Sequence, residues 1–301
     1  LASVIIPCFN GAKVIVECLE SVFRLDYCPL EVVVVDDCSG DDSAGIISRD
    51  FPRARLLKNR ENKGFARTVN TGIRAARGEI IVLLNMDTVV EKDWLREMVL
   101  ALSGDRSVGI VGSKIFSPGK KVLQHAGGLV FENGLTVHIG RNEEDRGQYE
   151  EKREVDYVCG AALGFRRDLL EKIGGFREIY RPMYYEDTDL ALRARRAGYK
   201  VVYAPRSVLV HRENVSTGGL TPSFYFFYHL NRIRYILRNF GLFYLLRKFL
   251  PAERKWRRSP LPAEIWGPLK KAYWKNAVGW PRILILRWAD GFIPARPGLS
   301  A

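Results

Sequence analysis

Short runs of β-branched apolar residues recur through the first third of the chain, and each stops at a cluster of Asn, Asp and Ser. Residues 3–6 run into Pro7-Cys8-Phe9-Asn10-Gly11, residues 31–36 into Asp36-Asp37-Cys38-Ser39, and residues 80–84 into Asn85-Met86-Asp87-Thr88. Apolar runs of this length that do not alternate belong to strands buried on both faces of a parallel sheet. Between the first two, residues 12–25 place Val14, Cys18, Leu19, Val22 and Leu25 at helical spacing. A strand at 55–57 and a helix at 65–77 repeat the alternation, so the N-terminal third reads as a doubly wound α/β sheet.

After a helix at 94–102 the pattern loosens into short strands at 108–112 and 129–131 and a polar loop at 141–153. Helix–strand patterning resumes over 158–165, 167–173, 188–197, 201–203 and 208–210, which closes the core fold near Arg212. The expected division is a catalytic domain over 1–212 and a basic, aromatic, mostly helical extension over 213–301. Within that extension, residues 222–250 read as helical and residues 251–268 as a Pro-punctuated connector. No internal repeat or low-complexity tract is present.

With 301 residues, 47% of them apolar, the chain can bury a full core without staples. Its five cysteines form no CxxC pair and are odd in number, which argues against a zinc knuckle and a disulfide framework and for a reduced, cytoplasmic setting. The start at Leu1 lacks an initiator Met and has no signal-peptide pattern, as if trimmed to the fold. No stretch reaches the ~18 to 20 uninterrupted apolar residues of a spanning helix. Charge is concentrated: from Pro205 onward there are 17 Lys and Arg against 4 Asp and Glu, whereas the first 204 residues balance at 30 against 30. The net charge of +13 therefore belongs to the tail, and so does its partner.

In an open parallel sheet, ligands bind beyond the carboxyl ends of the strands. The three polar clusters sit at such ends. Each alone is also a turn with a helix cap, for which Asn, Asp and Ser are favoured anyway. Together they suit a nucleotide diphosphate, because an Asp accepts well from a pyrimidine imide N–H and a diphosphate needs a cation held by hard oxygen ligands. A dinucleotide-binding fold would show G-x-G-x-x-G after the first strand, and only Gly11 is present there.

These residues resemble the family 2 glycosyltransferases of GT-A fold, and among them the bacterial rhamnosyltransferase-like branch. The matching pieces are Ser3-Val4-Ile5-Ile6-Pro7-Cys8-Phe9-Asn10, Val33-Val34-Val35-Asp36-Asp37-Cys38-Ser39, Asn62-Lys63-Gly64-Phe65-Ala66, Leu84-Asn85-Met86-Asp87, Gly174-Gly175-Phe176 and Tyr185-Glu186-Asp187-Thr188-Asp189-Leu190, followed by Arg193, Gly198-Tyr199 and His211. Their order and spacing cover roughly residues 1–212. The resemblance implies a central mixed sheet flanked by helices and a nucleoside-diphosphate sugar as donor. Pro7, Phe9 and Asn10 would lie at the nucleotide, with Asp37 accepting the base N–H and Gly64 and Arg67 near the base or phosphates.

The same resemblance makes Asp87 a ligand to Mg²⁺ or Mn²⁺ and His211 a further metal or phosphate contact, although a core histidine at a strand end reads equally well. Asn85 replaces the first carboxylate of the usual Asp-x-Asp, which removes one negative charge from the cation site. Relatives with Asn there resemble users of deoxythymidine-diphosphate rhamnose; a UDP-sugar is the other donor reading.

Glu186, Asp187 and Asp189 precede a helical pattern, where a single acid would serve as an N-terminal cap. Three within four residues are costly unless something cationic or proton-donating faces them. The resemblance makes Asp187 the catalytic base. Glu186 beside it, and Gly160 as a small residue that permits close approach, are placed on the side of a saccharide or lipid-linked saccharide acceptor, although plain turn and packing roles read at least as well for Gly160. Inversion at the sugar needs only one base, because the diphosphate leaves without protonation of a sugar oxygen.

The basic tail interleaves Phe224, Tyr225, Phe226, Phe227, Tyr228 and Phe243 with Arg232, Arg234, Arg238, Arg247 and Lys248. Two uses stand open: an anionic membrane surface, which makes the protein peripheral on the inner face of the cytoplasmic membrane, or a helix packed on the core with a solvated basic edge. No nucleic-acid motif accompanies the charge, so no nucleic acid is expected. Two other functions compete with transfer. A nucleotidyltransferase would need a triphosphate loop that Asn10-Gly11-Ala12-Lys13 does not provide, and a noncatalytic binding module leaves the coincidence of Asp37, Asp87 and Asp187 unexplained.

Overall fold

The computed structural model describes residues 1–212 and 221–289. Its first half is the expected strand–helix succession with one helix more, α2: β1 (Ala2–Cys8), α1 (Ile15–Phe23), β2 (Leu30–Asp36), α2 (Ser43–Asp50), β3 (Arg55–Lys58), α3 (Phe65–Ala75) and β4 (Ile80–Leu84). β1 pairs in parallel with β2 on one side and β4 on the other, and β2 pairs in parallel with β3. Successive side chains leave a strand on opposite faces. Val4, Ile6, Val82 and Leu84 accordingly enter one hydrophobic cluster with α1, α2 and α4, while Ile5, Ile81 and Leu83 enter a second with α3, α5 and α6. Both faces of the sheet are therefore covered, which is why these strands carry no polar alternation.

The chain continues through β5 (Thr88–Val90), α4 (Trp94–Ser103), β6 (Val108–Phe116), β7 (Leu123–His125), β8 (Gly128–Val130), β9 (Thr136–His138), β10 (Arg153–Glu154), β11 (Ala162–Arg166), α5 (Arg167–Ile173), α6 (Glu186–Arg196) and β12 (Lys200–His211). The main sheet runs in the order β10-β12-β6-β11-β4-β1-β2-β3, with β5 on β12 and β7 on β6, and β8–β9 form a separate two-stranded sheet. β11 is antiparallel to both neighbours, so the sheet is mixed, as expected. The two strands expected at 201–203 and 208–210 are one strand. The ladder to β6 skips from Ala204 to Val208, and the shift absorbs Pro205, which has no N–H to donate. α2 was not anticipated, because only Ser43 and Ile47 of it are buried and it shows no helical stripe.

The C-terminal region comprises α7 (Pro222–Asn239), α8 (Leu242–Tyr244), a π-helical turn at Leu245–Phe249, α9 (Leu250–Arg257) and α10 (Ala263–Ala289). α7 begins in the way its sequence dictates, with the Thr221 Oγ1 accepting from Phe224 N–H at 3.1 Å and Pro222 in the first turn. The Pro-punctuated connector expected at 251–268 is confined to residues 258–262, with Pro260 and Pro262. Pro251 sits in the first turn of α9, where its missing N–H costs nothing, and Pro268 lies inside α10. Leu230, Ile233, Tyr235, Ile236 and Leu237 of α7 are buried, and Asn239 at its end donates to Asp189 in α6 at 2.8 Å. This aromatic helix is therefore packed on the core.

Candidate active site

Parallel pairing brings the carboxyl ends of β1, β2 and β4 to one edge of the sheet. Pro7 lies half-buried near the end of β1; Phe9 is 41% exposed. Asn10, at φ 52°, accepts from Gly40 N–H through its side chain at 2.8 Å and donates its own N–H to Ser39 Oγ at 3.0 Å. Asp37 is 5% exposed and accepts from Asn59 Nδ2 at 2.7 Å, Lys63 N at 2.9 Å and Gly64 N at 2.9 Å. These bonds fasten the loop that opens α3, where Gly64 has φ 78°, a conformation that favours glycine. A carboxylate offers about four acceptor positions, so Asp37 keeps one free on Oδ2. Arg67, one turn into α3, is paired through Nε with Glu178.

Antiparallel pairing of β5 with β12 places His211 opposite Thr88 and so beside Asp87, 124 positions away in sequence. His211 Nε2 lies 3.3 Å from Asp87 Oδ1, and both residues are buried. Gln124 fixes the ring: its Nε2 donates to the His211 carbonyl at 2.7 Å, which turns its Oε1 toward His211 Nδ1 at 3.1 Å. Nδ1 is therefore the donor, and Nε2 of a neutral ring presents a lone pair to a carboxylate oxygen. A proton or a cation has to lie between them. Asn85 Oδ1, two residues before Asp87, is buried with no hydrogen-bond partner among the described residues. The carboxylate of Asp87 and the orphaned amide oxygen of Asn85 are hard oxygen donors of the kind Mg²⁺ or Mn²⁺ takes, and the imidazole nitrogen of His211 fits Mn²⁺ better than Mg²⁺. Among the described residues no group of three or more His, Cys, Asp or Glu side chains is placed to hold a metal unaided.

The three acids at the start of α6 meet three environments. Asp187 Oδ2 accepts from Gly160 N–H at 2.9 Å, and its Oδ1 accepts from Thr188 N–H at 2.6 Å and Thr188 Oγ1 at 3.2 Å. Burial raises its pKa, and these donors only partly offset that. Glu186 is 7% exposed with Oε2 unpartnered among the described residues; burial, reinforced by the charge of Asp187, pushes its pKa well above the ordinary value. Asp189 is fully buried, but Arg177 at 3.0 Å, Arg193 at 2.8 Å, Tyr180 and Asn239 override the burial and hold it well below the usual carboxylate range. Asp189 is thus the structural member of the three. Ahead of them Tyr184 and Tyr185 have φ of 77° and 75°, a left-handed geometry that costs bulky side chains roughly 1–3 kcal/mol each. The Tyr185 hydroxyl, donating to the Gly134 carbonyl at 2.6 Å, helps to hold it.

The segment at 159–161 joins the two halves of the site. Asn85 N–H donates to the Ala161 carbonyl at 2.9 Å, and the next residue back, Gly160, donates to Asp187. Asp87 and Asp187, one hundred positions apart, are thereby registered to each other through one short stretch of backbone. Sequence reasoning missed Gln124, His125, His138 and Arg177. No spacing signal marks them, because each acquires its neighbours only when the β7–β9 region and α6 fold against the sheet.

The description "Glycosyl transferase family 2" matches residues 3–174. An uncharacterized protein, y4gI, of Sinorhizobium fredii is 32% identical over 229 residues, covering 72% of this chain and 25% of that protein. The N-acetylglucosaminyl-diphospho-decaprenol L-rhamnosyltransferase of Mycobacterium tuberculosis is 28% identical over 213 residues, covering 63% of this chain and 69% of that one. The chain spans half or less of the length of the first three curated relatives it matches. In fold, a mannosyltransferase from Pyrobaculum calidifontis solved with GDP-mannose and Mn²⁺ superposes with a TM-score of 0.55 at 23% identity, covering 96% of this chain and 73% of that one. The architecture is the GT-A fold. On the match over residues 3–174, this chain belongs to glycosyl transferase family 2.

Proposed function

We propose that the chain is the catalytic part of an inverting glycosyltransferase that moves a sugar from a nucleoside diphosphate to a hydroxyl of a saccharide or lipid-linked saccharide. The observation that carries this reading is Asp187. It is a carboxylate with a raised pKa, held by Gly160 N–H at 2.9 Å and tied through the 159–161 backbone to the turn that carries Asp87. An acceptor hydroxyl is a weak nucleophile until a carboxylate in hydrogen-bond reach takes its proton. Asp187 takes that proton as the oxygen attacks the anomeric carbon in line with the departing diphosphate, which inverts the centre. Glu186 would lie on the acceptor side, its pKa pushed well above the ordinary value by burial and by the charge of Asp187.

On the donor side, Pro7, Phe9 and Asn10 line the edge where the base would lie, and the remaining acceptor position of Asp37 would meet its imide N–H. Gly64 lets backbone approach closely, and Arg67 would reach the phosphates while sharing Glu178. Asp87, His211 and Asn85 Oδ1 would hold Mg²⁺ or Mn²⁺, which supplies charge neutralisation for the leaving diphosphate. The rhamnosyltransferase name of the mycobacterial relative supports deoxythymidine-diphosphate rhamnose as first choice of donor, with a UDP-sugar second, and a lipid-linked saccharide as acceptor. The catalytic unit is taken as 1–212 and the extension as 213–301, working at the inner face of the cytoplasmic membrane.

The test is a thermal-shift panel of dTDP, UDP and GDP and their sugars, with Mn²⁺ and with EDTA. One nucleotide should raise the melting temperature, by mass action on the folded state, and EDTA should shrink that rise. If no nucleotide moves the melting temperature under either condition, the reading fails.

A further inference from the structure

His125, at the end of β7, and His138, at the end of β9, face each other with their Nδ1 atoms 2.9 Å apart, and Tyr157 packs against both rings. The rings meet because the β8–β9 hairpin folds back with Gly128 opposite His138. His125 is 1% exposed. Its Nε2 accepts from Cys159 N–H at 3.1 Å, and Cys159 immediately precedes the Gly160 whose N–H holds Asp187 Oδ2.

The tautomers follow from these contacts. A backbone N–H can only donate, so His125 Nε2 carries a lone pair and the proton of the neutral ring is on Nδ1. That proton is donated to His138 Nδ1, which leaves the His138 proton on its own Nε2. Burial keeps both rings neutral, lowering His138 to about 4 and His125 well below its ordinary value.

Three consecutive residues are thus tied to three different parts of the site. Cys159 N–H goes to His125, Gly160 N–H to Asp187, and the Ala161 carbonyl takes Asn85 N–H from the turn that carries Asp87. We propose that His125, backed by His138, is a positioning residue for Asp187: it fixes the 159–161 backbone and so sets both the placement of the base and its distance from the diphosphate-binding turn. This rests on Asp187 being the base. Neither histidine needs to touch substrate. Loosening the Cys159 anchor frees Gly160 to turn its N–H away, which removes a donor from the Asp187 carboxylate and lets the carboxylate drift. The charged or titratable neighbours that bear on Asp187 are Glu186 on its own helix and Tyr157, which lies just before Cys159 and packs against both histidine rings; His125→Phe keeps a ring against it.

The whole chain, carrying carboxyl-¹³C aspartate, is titrated by NMR, with Asp187→Asn identifying the Asp187 resonance by its loss. Release of nucleoside diphosphate from dTDP-rhamnose and from UDP-N-acetylglucosamine is followed in parallel. His125→Phe keeps a ring but removes the acceptor; it should displace the Asp187 titration to higher pH and lower kcat about 10-fold or more, with KM for the sugar nucleotide within about two-fold. His125→Gln, whose amide oxygen can take the place of Nε2, should stay near wild type in both. His138→Leu should move the titration in the same direction by less, and it serves where His125→Phe does not fold. An Asp187 titration that stays put in a folded His125→Phe or, failing that, His138→Leu variant overturns the inference, as does a His125→Gln variant displaced as far as His125→Phe. Normal turnover by Asp187→Asn sinks the base assignment instead, whatever the NMR titration shows, so the two failures are distinct.

Discussion

Glu186, Asp187 and Asp189 are chemically near-identical and lie within four residues, yet the fold moves their pKa values differently: Glu186 well up, Asp187 up against opposing donors, and Asp189 down. Asp187 is balanced between burial and three hydrogen-bond donors, which suits a group that must be ionised to act and must accept a proton in the act. Asp187→Asn should therefore keep the nucleotide-induced rise in melting temperature and lose roughly 10²-fold or more in transfer rate. Since the pKa of Asp187 is raised, the acid limb of the wild-type rate profile should fall at a pH above the ordinary aspartate value of about 3.9.

Glu186 makes a thermodynamic prediction. Its pKa in the folded state is raised above that of the unfolded chain, about 4.3, so folding takes up a proton. The stability linked to that proton is complete below about pH 4.3 and is lost as pH rises toward the folded-state pKa. Glu186→Gln cannot titrate, so its melting temperature relative to wild type should climb between pH 4 and pH 8. A constant difference across that range would show that Glu186 carries its charge in the folded protein.

Among the elements, α3 shows how close packing overrides local preference. Gly72 lies mid-helix, where alanine is favoured by about 1 kcal/mol on propensity. A Cβ there, however, would stand 2.4 Å from Ile5 Cγ2 in β1 and 3.2 Å from Val35 Cγ2 in β2. Ile5 is fully buried and β-branched, so it cannot swing aside. Overpacking costs typically ~1–3 kcal/mol, so Gly72→Ala should lower stability in urea melts despite its helical preference. The elements legible from sequence were those whose pattern and packing agree, as in β1, β2, β4, α3 and α4. α2, the continuous β12 and the helices α9 and α10 were not, because each depends on a neighbour: β12 on the ladder to β6, and α10 on its packing against α7 at Leu230, Ile233 and Ala272.

At the scale of the whole molecule, the extension is built onto the catalytic core through buried polar links. Arg232 of α7 forms a buried pair with Glu253 of α9 at 2.7 Å and also donates to the Asn133 carbonyl beyond β8. The apolar residues this packing leaves outside include Leu242 at 69% and Phe243 at 77% exposure on α8, Leu246 at 55% on the π-helical turn, and Trp274, Val278 and Ile285 on α10. Arg287 Nη1 donates to the Phe240 carbonyl at 2.8 Å, which brings the end of α10 beside the start of α8. Across 242–289 there are 11 Lys and Arg against 2 Asp and Glu. Among the described residues no helix is long and apolar enough to cross a membrane. Exposed rings and leucines among cations suit the headgroup layer of an anionic bilayer. The protein should pellet with vesicles containing phosphatidylglycerol and not with phosphatidylcholine alone, and Phe243→Ser with Leu246→Ser should reduce pelleting several-fold at equal melting temperature. Equal pelleting by the double variant would remove these residues from any membrane contact.

The sequence by itself determined the parallel half of the sheet, the three polar turns at its strand ends and the acidic start of α6, because each is a local pattern of hydrophobicity or turn chemistry. It could not distinguish the three acids, since their charges follow from Arg177, Arg193, Gly160 and the depth of burial, none of which is local. His211 read equally as a ligand or a core residue, and only the pairing of β5 with β12 set it against Asp87. The His125–His138 pair had no signature, because a hydrogen bond between residues 13 apart exists only once the hairpin between them has closed. Local pattern placed the polar turns at the strand ends; long-range pairing decided which side chains meet there and which way burial and partners shift the acids of α6.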